Sequence, residues 1–267
     1  MTPFCENGDV DHYMGSANLS LRQSVDSIVQ VLSGLSYLHS NNFVHRDLKP
    51  SNIFVDSNRN FLIGDFGSVK KMTDGWSSNL SSHSHLYQPP ETFSVPRFHK
   101  TGDIYQVGIV MYQLLGGRLS YEERDYFNAK EAEIYDSMPD PIEQQLYFKK
   151  VLHNCITKSK IIEFESIPPW IPTSLRKIIA KATKPKYIDR YQSAAEMSAA
   201  LTNCRTKLRP WEVRDGFPTL AEATEFRIVP VRGSCAIEKR RTGQWRSISV
   251  ARDITLADAV KFAENGG

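Results

Sequence analysis

The stretch IYQVGIVMYQLL, residues 104–115, places the strongest constraint on how this chain can fold. Apolar side chains recur on every side of it, and a run of this length is too short to cross a bilayer, which takes about 20 residues. It predicts a helix buried all round, so the rest of the chain must supply its cover. A chain of 267 residues can do so, because a domain near that size buries roughly three quarters of its unfolded surface. Hydrophobic content of 40% and charged content of 24% are ordinary globular values and argue against disorder. The net charge of +3 lacks the clustered basic excess of a nucleic-acid binder. Cys5, Cys155, Cys204 and Cys235 are widely spaced with no CxxC pair, which indicates neither a zinc site nor a disulfide scaffold and fits a reducing, cytoplasmic compartment. MTPFCENGDVDHYMG has no basic start and no apolar run, so no signal peptide is expected.

Periodicity organises the remainder. Leu21, Val25, Ile28, Leu32 and Leu35 fall on one helical face, and Ser20 with Gln23 offers a capping box, predicting a helix over about 20–39. FVHRDLKPSNIFVDSNRNFLIGDFG then alternates short apolar pieces with polar loops, the pattern of short strands presenting loops at a cleft. Residues 68–98, rich in Ser, His, Gly and Pro, predict a long loop, ordered or switchable. Gly116-Gly117 stops the buried helix; two more helices are expected around Leu175–Ala182 and Ser193–Cys204. KLRPWEVRDGFP breaks the pattern and reads as a linker over 206–218. A small β-β-β-α module over 219–267 is expected after it, its helix capped by Thr255 with Asp258. Lys239, Arg240, Arg241 and Arg246 form a basic hairpin, but Lys/Arg outnumber Asp/Glu only eight to six from 222 onward, which favours a solvated strand face over a nucleic-acid surface.

The polar loops carry the chemistry. Asp47 is followed by Lys49 and Asn52, and a second carboxylate, Asp65, comes after a further strand pair. Two carboxylates, an amide and an ammonium suit magnesium-assisted phosphoryl transfer, which needs a base for the hydroxyl, hard oxygen ligands and a cation on the moving phosphate. A polar turn explains one such residue, but not the ordered set.

HRDLKPSN at 45–52 and DFG at 65–67 resemble the catalytic-loop and magnesium-loop signatures of eukaryotic-like, Hanks-type protein serine/threonine kinases. YQPPE at 87–91 resembles that family's APE motif with Pro for Ala, GDIYQVGIVMYQLL its central hydrophobic helix, and DRYQSAAEM at 189–197 the Arg-bearing end of the domain, in a form most similar to bacterial members. The resemblance implies an α+β fold: a mostly helical kinase large lobe over 1–205 with short catalytic-loop strands, then the linker and the small module.

It also implies roles and ligands, ATP and Mg²⁺ acting on a protein substrate. Asp47 would orient the substrate hydroxyl and Lys49 would neutralise the transferring phosphate. Asn52 and Asp65 would hold Mg²⁺, Phe54 would lie under the adenine ring and Asp9 would meet the ribose. His45 and Phe66 match spine positions, Gly67 the turn that aims Asp65, and Arg46 an arginine that gathers a phosphorylated loop. Thr73, Ser77, Ser78, Ser81 and Ser82 are the candidate phosphosites, against the plainer reading of a flexible Ser-rich loop. Ser84 and Lys49 favour Ser/Thr over Tyr substrates, while His83 and His85 lack metal-ligand companions. Glu91 with Arg190 matches a buried ion pair, and Asp103 a carboxylate that braces the catalytic loop.

The family also has a β-rich lobe ahead of the hinge, with a Gly-rich loop, a strand Lys and a helix Glu. MTPFCENGDV resembles the hinge, with Thr2 near the position guarding the adenine pocket, and no GxGxxG or VAIK-like stretch follows. The expectation is a large lobe that by itself binds Mg·ATP weakly and turns over slowly, leaving a face open to a partner. The alternative is a non-catalytic kinase-like fragment that binds or scaffolds; membrane and nucleic-acid partners are not expected.

Overall fold

A computed structural model describes residues 5–16, 19–78, 85–95, 97–248 and 254–267. Its centre is the expected buried helix, α3 (Lys100–Leu114), in which every residue from Thr101 to Tyr112 is buried. Each Val or Ile side chain so covered contributes about 1.5–3 kcal/mol relative to exposure. Gly108 is where α3 meets α6 (Thr173–Ala182): a Cβ there would lie 2.8 Å from that of Ala182, so only glycine permits this approach. Gly116, at φ +83°, ends the helix in the left-handed conformation that glycine adopts without strain.

Helices α2 (Leu21–Ser40) and α6 pack on α3, α7 (Ala194–Arg205) packs on both of these, α4 (Ala129–Ser137) lies on α5 (Pro141–Thr157), and α1 (Val10–Ser16) lies against residues 50–55. Helix α2 starts at the predicted capping box, with Ser20 and Gln23 exchanging bonds. Two short antiparallel pairs hold the loops: β1 (Phe43–Val44) with β4 (Lys70–Lys71), and β2 (Ile53–Val55) with β3 (Phe61–Ile63).

The expected long loop over 68–98 is partly ordered by pairing. Strand β5 (Trp76–Ser78) runs antiparallel to β6 (Arg97–His99), with Ser77 opposite Phe98. Ser77 is fully buried, so it is withdrawn from the candidate phosphosites, whereas Thr73 is exposed. Ser81, Ser82, His83 and Ser84, like Thr2, lie outside the described residues.

The linker over 206–218 is a correction. Strands β7 (Trp211–Arg214) and β8 (Phe217–Leu220) form a hairpin closed by Asp215 and Gly216, both at positive φ (52° and 80°). That is a two-residue primed turn, for which Asp-Gly is a strong signal. The prolines are accommodated: Pro210 precedes β7, and β9 pairs β8 only at Thr219 and Leu220, beyond Pro218. With β9 (Glu225–Val231), β10 (Ser234–Arg240) and β11 (Arg246–Ser247), the module is a five-stranded antiparallel sheet in the order β11-β10-β9-β8-β7, rather than three strands. Helix α8 (Leu256–Glu264) covers it, capped by Thr255 as expected.

The sheet shares the hydrophobic core of the helices. Trp211, 1% exposed, stacks on Trp170 at 6.0 Å, and Arg22 of α2 donates to the Leu208 carbonyl. Cys5, Cys155, Cys204 and Cys235 form no disulfide, and no helix among the described residues is long and apolar enough to cross a membrane.

Candidate active site

Residues 45–52 are too polar to be buried unaided, yet His45, Arg46, Asp47 and Asn52 are all buried. Helix α3 makes this possible. Fully buried Asp103 accepts from the backbone N–H of His45 (3.0 Å) and of Arg46 (2.7 Å), and bonds His39 Nε2 at 2.8 Å. One turn on, Gln106 accepts from the Leu48 N–H and donates to the Arg46 carbonyl. The loop's backbone groups are thereby satisfied, as burial requires. Arg46 takes φ 74°, a strained value that these four contacts hold in place. Its Nε donates to the Ser68 carbonyl at 2.7 Å, tying the loop to the segment after DFG. Burial pushes the Arg46 guanidinium down from its ordinary value, with Asp103 opposing.

Braced in this way, the loop presents Asp47. Lys49 Nζ lies 3.1 Å from Asp47 Oδ2, and Asn52 Nδ2 donates to both the Asp47 carbonyl and Oδ2, at 2.7 and 2.9 Å. The donor end of the Asn52 amide is therefore committed to Asp47, which leaves Oδ1 as its acceptor end. Asp65 arrives through the sheet: the Gly64 N–H donates to the Asn52 carbonyl where β2 pairs with β3. Asp65, exposed and at φ 51°, accepts from Gly67 N–H at 3.3 Å. Asn52 Oδ1 and the Asp65 carboxylate are hard oxygen donors, the kind that Mg²⁺ takes.

Phe54 and Asp9 form a β-bridge. Half-buried Phe54 lies so close over Gly64 that a Cβ there would meet its ring at 2.4 Å. Asp9 caps α1 by accepting from the His12 N–H at 2.9 Å. Asp47, Lys49 and Asn52 are thus in direct contact, and Asp65, Phe54 and Asp9 follow through backbone pairing. His45 meets Phe66 edge-on at 5.9 Å, and its Nε2 donates to the Gly64 carbonyl at 2.9 Å.

The expected Glu91–Arg190 pair is present and bidentate, at 2.9 and 2.6 Å. Arg190 also donates to the carbonyls of Lys184, Thr101 and Pro185 and lies over the Tyr105 ring. Sequence reasoning missed His39, Gly64 and Gln106. Gln106 was accessible in principle, since it stands three residues after Asp103 on one helical face.

Comparison with known proteins gives the family. The model of the protein kinase domain matches residues 1–197. The chain belongs to the protein kinase family. Relatives of this kinase domain include the SNF1-related protein kinase catalytic subunit alpha KIN12 of Arabidopsis thaliana, 33% identical over 129 residues, covering 48% of this chain and 26% of the relative. The interferon-induced, double-stranded RNA-activated protein kinase of Mus musculus is 34% identical over 116 residues, 42% of this chain and 22% of the relative. A longer alignment, 243 residues at 28% identity, links 84% of this chain to 42% of the serine/threonine-protein kinase TOS3 of Saccharomyces cerevisiae. The chain therefore spans less than half the length of each. The family uses ATP with a divalent metal and phosphorylates proteins.

Proposed function

We propose that this kinase domain transfers the γ-phosphate of ATP to serine or threonine hydroxyls of a protein substrate. In this reading residues 1–205 are the hinge and large lobe, and the sheet with α8 is an accessory module. The observation that carries it is the bonded set Asp47, Lys49 and Asn52 held beside Asp65 by the β2–β3 ladder.

Asp47 accepts the hydrogen bond of the incoming hydroxyl and orients its oxygen for in-line attack. Lys49, already on Asp47, carries its positive charge to the oxygens of the moving phosphoryl group. Asn52 Oδ1 and Asp65 would hold Mg²⁺, which would supply charge neutralisation to the phosphates of the bound nucleotide. Phe54 floors the adenine position and Asp9 meets the ribose hydroxyls. Phe66, 52% exposed beside Asp65, lies on the face where a second wall, the small lobe of a kinase, closes over the nucleotide and excludes water.

The test is phosphate transfer to a Ser/Thr peptide by the purified protein. Asp47→Asn lowers kcat by about 10²–10⁴-fold, the range for a positioned base, without altering the melting temperature by more than a few degrees. Transfer at the parental rate in that variant would sink the reading.

A further inference from the structure

Charges in the C-terminal sheet divide by face. On the outer face each arginine has a carboxylate: Arg214 meets Glu212 and Glu225, Arg227 meets Glu238, and Arg240 meets Glu225. On the inner face one row runs across all five strands, Trp211, Leu220, Phe226, Lys239 and Arg246. The first three are buried, at 1%, 0% and 2% exposure. Lys239 and Arg246 are exposed and stand directly opposite each other. Like charges so opposed destabilise a sheet. Arg241, just past β10, adds a third cation, its Nε on Thr224 Oγ1 at 3.0 Å. Among the described residues, none of these three is ion-paired with a carboxylate. They border a cavity of about 430 Å³ that Phe226 and Gly266 also line. The end of α8 at Gly266 brings a partial negative charge of about one half, which offsets only a fraction of three positive ones.

We propose that this cavity binds the phosphate of a phosphoserine- or phosphothreonine-bearing peptide, with Lys239, Arg241 and Arg246 as its donors. A phosphate monoester brings a charge of about −2 and three acceptor oxygens to one point, which suits three convergent cations in a concavity. Single-stranded nucleic acid is recognised along an extended groove with open aromatic faces. Here Phe226 is buried and Trp245 is already covered by Arg227 and Arg240, at 4.6 and 4.3 Å. A membrane surface requires apolar side chains to insert, and the one large hydrophobic exposed on the described part of the module is Val231, on the hairpin's far end. Preferring a phosphopeptide to other phosphate monoesters rests on the kinase reading above, because such a peptide is its product.

Synthetic peptides keep the test independent of whether the chain transfers phosphate. The full chain is titrated, by fluorescence anisotropy, with a labelled phosphoserine peptide, its unphosphorylated twin, and a single-stranded RNA of equal charge, and inorganic phosphate is added as competitor. The phosphopeptide binds at least about tenfold more tightly than its twin, the advantage expected of charge-assisted bonds. The double variant Lys239→Gln, Arg246→Gln loses that preference, and its melting temperature is equal or higher because the opposed pair is gone. Arg232→Gln, in the turn at the other end of the β9–β10 hairpin, keeps it. Equal binding of the twins overturns the proposal, as does an equal loss in Arg232→Gln. Inorganic phosphate binding as tightly as the phosphopeptide, or the RNA binding more tightly, overturns it too, in favour of a free-phosphate site or a nucleic-acid surface.

Discussion

The loop at 45–52 and the C-terminal sheet both depend on charged residues, and use them oppositely. Around the loop, Asp103, Glu91 and Arg190 are buried: Asp103 and Arg190 each serve several partners, most of them backbone groups, and Glu91 is held by Arg190. In the sheet, Glu212, Arg214, Glu225 and Arg240 pair along a partly solvated face. A buried charge with directional partners dictates where the backbone runs, whereas a solvated pair adds little beyond solubility. The two regions should therefore answer mutation on different scales.

The sharpest contrast comes from Arg190→Ala, which leaves Glu91 buried without its partner. It should cost about 3–5 kcal/mol in urea unfolding; a cost near zero would mean that Glu91 is solvated and the contrast false. Next comes Asp103→Asn. One carboxylate oxygen becomes an NH₂ facing a backbone N–H, so one buried amide loses its acceptor, at about 1–3 kcal/mol. Because that amide belongs to His45 or Arg46, the same variant should also impair phosphate transfer, and full activity would show that the brace does not position Asp47.

A pH effect of intermediate size is expected at His99, which caps α3 by accepting from the Thr101 N–H. Burial, then Lys100, hold its imidazole below the ordinary value of 6.5, with Glu91 opposing. The unfolded chain thus binds the proton more readily, so this stability is fully present above pH 6.5 and is lost as pH falls through the lower folded value. Urea midpoints measured downward from neutral pH should decline, and His99→Asn, which keeps a capping acceptor, should flatten that part of the decline. The smallest effect belongs to the sheet. Arg214→Ala should cost about 0–1 kcal/mol, and a loss as large as that of Arg190→Ala would erase the distinction between the regions.

Much of the loop was legible because its residues act locally. The spacing of Asp47, Lys49 and Asn52 puts three functional groups on one short segment, and the contacts among them follow from that spacing. Asp103 was legible through family resemblance. His39 was not, and Gln106 could have been read only through its place one turn after Asp103, because their partners lie 64 and 58 residues away. The module was misjudged at its start for a different reason. Prolines were weighted as breakers across 206–218, although the Asp215-Gly216 pair carried the hairpin signal.

By itself the sequence determined the buried helix, the capped helices α2 and α8, and the identity of the residues in the loop, since each depends on periodicity or short spacing. Only the tertiary structure decided that Asp103 and Gln106 satisfy the loop's amides, that Trp211 seats the sheet on the helices, and that Lys239 faces Arg246 rather than a carboxylate. Those outcomes depend on which strands and helices become neighbours, and pairing across the chain is set by packing of the whole core.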